Sequence, residues 1–68
     1  MNKAQTVEIY KTRTDFAVIK NRQILRRVQD RQYAFRIAKQ VFDATRKLTT
    51  GPVFFEDKTH FISEGYPS

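Results

Sequence analysis

Hydrophobic and polar positions change their rhythm twice along this chain, near residue 30 and again near residue 50. Upstream, apolar residues gather in short runs: Val7, Ile9 and Tyr10, then Phe16-Ala17-Val18-Ile19, then Ile24, Leu25 and Val28. Short runs rich in β-branched and aromatic residues, bounded by polar stretches such as Thr12-Arg13-Thr14-Asp15, read as strands. Downstream, Ala34, Ile37, Ala38, Val41, Phe42, Thr45 and Leu48 recur at the i, i+3, i+4, i+7 spacing of one helix face. Carried backward, the same stripe lands on Arg26, Arg27, Asp30 and Arg31, so the helix does not run far upstream of residue 30. Asp30 can cap its first turn by accepting a bond from an unpaired amide. Gly51-Pro52 supplies the stop, Gly by taking the left-handed C′ conformation and Pro by being unable to continue a helix. The spacing therefore predicts one helix over 30–48.

Between the second and third runs stands Asn21-Arg22, and Asn tolerates the positive φ that a tight hairpin turn needs. A two-residue loop there sets Ile19 opposite Ile24 and Val18 opposite Leu25. After the helix, Val53-Phe54-Phe55 and Thr59-His60-Phe61-Ile62 flank the polar triplet Glu56-Asp57-Lys58, which reads as a second short hairpin. Residues 1–5 and 64–68 read as loose ends. The expected fold is α+β in the order ββ(β)-α-ββ: a small, mainly antiparallel sheet with one amphipathic helix packed across one face. Residues 1–68 form a single small domain on this reading.

Sixty-eight residues bury only about 60% of the surface that the unfolded chain exposes. The apolar arc of the helix, from Tyr33 and Ala44 round to Phe42 and Phe35, is wider than the ~100° stripe of a surface helix. Its excess suits either a sheet that curls around the helix or a partner subunit, and a homodimer is one expectation. No Cys is present to staple the fold. The longest apolar run is four residues, which excludes a transmembrane helix and a signal-peptide core. A cytoplasmic location with no membrane partner is the matching expectation.

Charge changes the picture most. Thirteen Lys and Arg against seven acids give +6. Residues 1–10 are neutral, residues 11–47 carry +8 and residues 48–68 carry −2. Lys20, Arg22, Arg26, Arg27 and Arg31 concentrate on the expected turn, third strand and helix start. Guanidinium groups fork two bonds to a phosphate or to the edge of guanine, which an ammonium cannot do. A two-stranded ribbon is also narrow enough to enter a DNA major groove. Tyr10, Arg13, Tyr33 and Arg36 are candidates for secondary contacts. On a strand Arg26 and Arg27 point to opposite faces, so Arg27 with one of Arg22 or Arg26 is expected to meet the partner. The helix surface carries Arg36, Lys39, Arg46 and Lys47 around Asp43, whose i,i+4 spacing to Lys39 and Lys47 suits weak ion pairs on a solvated face.

Catalytic chemistry finds little here. His60 has no second His for a metal site, Glu56-Asp57 sit at an expected turn, and no glycine-rich phosphate loop exists. Phe16, Phe42, Phe54 and Phe61 are expected in the core. In layout only, a basic three-stranded sheet followed by a helix resembles the sheet-type DNA readers, such as the arm-binding domains of phage-type integrases. The extra hairpin at 53–62 departs from that plan. The expectation is a small non-enzymatic, cofactor-free nucleic-acid-binding or regulatory protein, docking an Arg-rich hairpin on the phosphates of DNA or RNA. The alternative is an inhibitor or accessory subunit whose basic patch meets an acidic protein surface.

Overall fold

The computed structural model describes residues 4–64. Strands β1 (Gln5–Lys11), β2 (Phe16–Lys20) and β3 (Gln23–Val28) are followed by helix α1 (Arg31–Leu48) and strand β4 (Val53–Ile62). The sheet order is β3-β2-β1-β4. The first three strands form an antiparallel meander; α1 then crosses the sheet, and β4 joins the far edge parallel to β1. The fold is α+β, as the periodicity predicts, but the sheet is mixed.

Each element has a local cause. At β1–β2, Thr12 and Asp15 close the loop: the Thr12 amide donates to the Asp15 carbonyl at 2.8 Å, and the Asp15 amide donates to Thr12 Oγ1 at 3.1 Å. At β2–β3, Asn21 and Arg22 both have positive φ, 51° and 69°. That is the two-residue turn whose twist matches paired strands. Asn21 also ties the turn to β1, accepting the Thr6 amide at 2.9 Å and donating to Gln5 Oε1 at 2.6 Å. Asp30 caps α1 by accepting the Gln32 amide. At the other end Thr49 is extended and no glycine among the described residues has positive φ, so the expected left-handed Gly51 is not the stop. Pro52 instead accepts the Gln5 amide at 2.9 Å and begins the β1–β4 pairing.

Ile19 pairs with Ile24, as expected, but Val18 lies opposite Arg26 because the register shifts by one residue there. This bulge has a hydrophobic cause. An unbroken register would set Arg27 opposite Phe16 on the face that α1 covers. The shift sets Val28 there, and Val28 packs against the core.

The expected hairpin at 53–62 is also corrected. Val53–Ile62 is one strand, and the polar triplet runs through it. A crossover from β3 delivers the chain to the outer side of β1, where residues 53–58 pair with residues 5–10 in sequence. Asp57 accepts both the Thr59 amide (2.9 Å) and the Thr59 hydroxyl (2.6 Å), so the triplet makes a local kink without reversing the chain. These two bonds, side chain first, hold the Asp57 carboxyl below its ordinary value. The register then shifts, and Ile62 pairs with Lys11. Of the expected loose ends, Gln5 belongs to β1 and Glu64 pairs with Arg13; residues 1–3 and 65–68 lie outside the described residues.

Strand alternation assigns two faces. On the helix side, Ile9, Phe16, Val18, Ala34 and Ala38 form the buried core, with Val28, Phe35, Ile37 and Val41 against it. Two fully buried alanines let α1 sit close on the sheet. Thr45, also buried, donates its hydroxyl to the Val41 carbonyl at 2.7 Å and so leaves no orphan polar group. On the outer face, Tyr10, Ala17 and Ile19 form a second buried cluster. Leu48 is 86% exposed and lies outside the core, and Phe54 and Phe61 are half exposed, against the expectation that they are buried. Among the described residues, no helix is long and apolar enough to cross a membrane.

Candidate nucleic-acid interface

The bulge in β3 decides which cations share a surface. Arg26, opposite Val18, points to the helix side; Arg27, opposite Ala17, points to the outer face. Arg26 lies over Tyr33 of α1, its guanidinium 5.7 Å from the ring centroid and Nη2 3.5 Å from the phenol oxygen. Tyr33 is 41% exposed, so the pair presents a flat cationic surface beside the hairpin. Arg36 follows Tyr33 by one helical turn and is exposed. Arg22 projects from the turn, and Lys20 ends β2 just before it, half-buried. Arg26 and Tyr33 join α1 to β3 on this flank, while Arg22 and Lys20 stand at the turn end of the hairpin.

Three other candidates go elsewhere. Arg27 Nε binds Asp15 Oδ2 at 2.8 Å on the outer face. Arg31 turns toward the β4 side of α1, with its guanidinium 5.0 Å from the Phe35 ring and 6.0 Å from Phe16. Arg13 pairs with Glu64 at 3.1 Å, both largely exposed. Tyr10, expected as a contact residue, is only 9% exposed. Its hydroxyl donates to Glu8 Oε2 at 3.3 Å and Lys58 lies 5.6 Å above its ring, so a ligand does not reach it without opening this network. The Glu8 carboxylate, 3.1 Å from Lys58 Nζ, holds that amine above its ordinary value.

The two faces therefore differ in charge. The helix side carries Lys11, Lys20, Arg26, Arg31, Arg36, Lys39, Arg46 and Lys47 against Asp30, Asp43 and Asp57. The outer face carries Arg27 and Lys58 against Glu8, Asp15 and Glu56, and both of its cations are ion-paired. Asp43 forms no ion pair within 4 Å of Lys39 or Lys47 among the described residues, contrary to its spacing, so the helix cations stay available. No group of described His, Asp and Glu side chains could hold a metal ion. His60 is exposed and meets the Phe61 ring edge-on at 4.8 Å.

Arg22 costs the fold something. A side chain with a Cβ in the left-handed region is disfavoured by about 1–2 kcal/mol, whereas glycine is not. Glycine returns part of that through greater freedom in the unfolded chain, about 0.5–1 kcal/mol. Arg22→Gly is therefore expected to raise stability by roughly 0.5–1 kcal/mol in urea unfolding. A variant less stable than the parent would show that the Arg22 side chain contributes folding contacts.

Sequence reasoning placed Phe42 in the core, Lys39 on a solvated helix face and Phe35 in the wide apolar arc, but did not join the three with Phe55 as the lining of a groove on the opposite flank of α1. The signal was present as alternating cations and rings at helical spacing: Arg31, Phe35, Lys39, Phe42, Arg46. Compared with protein-family models, curated proteins and solved structures, the chain matches none.

Proposed function

We propose that this chain is a small, non-enzymatic nucleic-acid-binding protein of the cytoplasm that lays the flank between α1 and β3 along a phosphate backbone. Arg22 and Arg26 fork onto phosphates from the hairpin, and Lys20 and Arg36 extend the contact on either side. The Tyr33 ring fixes the plane of the Arg26 guanidinium. The observation that carries this reading is the unequal charge of the two faces: the helix side holds a surplus of unpaired cations, while the outer sheet face is slightly acidic. A positive field confined to one side orients the protein on approach to a polyanion. The same asymmetry moves the contact surface from the hairpin ribbon as a whole to its helix-facing side, so Arg27 takes no part.

Four phosphate contacts release about four counterions' worth of salt dependence, a slope near −0.9 for each on duplex DNA. Affinity for a labelled DNA duplex is expected to fall roughly 100-fold between about 50 and 200 mM salt. A mobility-shift or anisotropy series on duplex DNA and on RNA measures this. Absence of binding to either at the lower salt overturns the reading.

A further inference from the structure

Groove residues Phe35, Lys39 and Phe42 of α1 face Phe55 of β4 across an open space of about 450 Å³. The Phe42 and Phe55 rings meet edge-on at 5.8 Å and make the floor apolar. Arg31 lies over Phe35 at one end, and Arg46 lies 5.7 Å from the Phe42 ring at the other. Among the described residues no carboxylate comes within 4 Å of Arg31, Lys39 or Arg46. Asp57, the acid of β4 on this side, is bonded to Thr59. Alongside runs the outer edge of β4, which among the described residues pairs with β1 only.

We propose that this groove and edge take an extended acidic segment of a partner protein, added to the sheet as a strand beside β4. Successive residues of an added strand face opposite sides, so its helix-side positions reach the groove. An aliphatic or aromatic side chain there covers Phe35, Phe42 and Phe55, and carboxylates two positions away, on the same face of the added strand, meet Lys39 and Arg46. Charge complementarity selects this occupant: the rim is cationic, the floor is apolar, and the edge offers backbone hydrogen bonds. A nucleic acid supplies the charge but neither the apolar side chain nor the peptide backbone. A second copy of β4 brings Asp57 to this side, and that carboxylate is already engaged. The site lies on the opposite flank of α1 from Arg22 and Arg26, so it does not rest on the phosphate-binding reading.

The test uses the full chain and a fluorescein-labelled ten-residue peptide with Phe and Glu alternating at every second position and Thr between them, so that both side chains share one strand face, followed by polarisation and by hydrogen exchange. Binding is expected with added amide protection across residues 53–58. Lys39→Glu, an exposed position that leaves the core intact, is expected to weaken it by about tenfold or more. Arg22→Ala with Arg26→Ala should leave it unchanged. The proposal is overturned if the same peptide with Lys in place of each Glu binds equally well, if Lys39→Glu has no effect, or if β4 gains no protection. It is also overturned if the groove is covered by self-association, seen as a mass that grows with concentration and a peptide that cannot compete.

Discussion

Ile9→Ala is expected to remove about half of the protein's folding stability. Ile9 is fully buried at the centre of β1, between Val18 of β2 and Asp57 of β4, on the face covered by Ala34 and Ala38. Truncating a buried Ile removes its transfer free energy and leaves a cavity, together about 2–5 kcal/mol. A chain of this size has a total stability of only about 3–10 kcal/mol. The cavity cannot collapse easily either, because the closest helix residues are already alanines. Thermal unfolding followed by circular dichroism measures the loss. A midpoint within a few degrees of the parent would mean that the core described for the helix side does not hold the fold.

Changing Arg22 and Arg26 together to Ala is expected to weaken nucleic-acid binding on the order of 100-fold at about 50 mM salt, and to lower the salt slope by about 2. Both follow from removing two phosphate contacts. The effect should be nearly uniform across sequences, since phosphate contacts position the protein and carry no sequence information. Arg27→Ala is the matched control: it removes the same charge from the neighbouring residue on the other face. Equal losses from Arg26→Ala and Arg27→Ala would mean that net charge, with no defined surface, accounts for the binding.

The contrast between these neighbours marks where the sequence stopped being informative. The helix was legible to within a residue, because a 3.6-residue period and the Asp30 cap are properties of adjacent positions. So was the turn at Asn21-Arg22. The bulge beside Leu25 was not, since it arises from competition between Val28 and Arg27 for the place opposite Phe16, and that depends on which face the helix covers. The basic cluster could be counted from the sequence, but its division between faces could not. β4 was misread for a similar reason. Glu56-Asp57-Lys58 has the composition of a turn, yet Lys58 is held between Glu56 and Glu8 on the neighbouring strand, a partner some fifty positions away in the chain. Tyr10 was misassigned by the same omission, since its burial depends on that network.

The place of β4 in the sheet also sets an order of assembly. β1, β2 and β3 are joined by short loops, so their pairing closes little chain. Val53 pairs with Gln5 across 48 positions, and the penalty for closing a loop rises with its length. Mutations in the meander should therefore slow refolding, whereas those in β4 should chiefly speed unfolding. Until β4 docks, β1 keeps one bare edge, and during that interval the strand of another molecule can take the place reserved for its own.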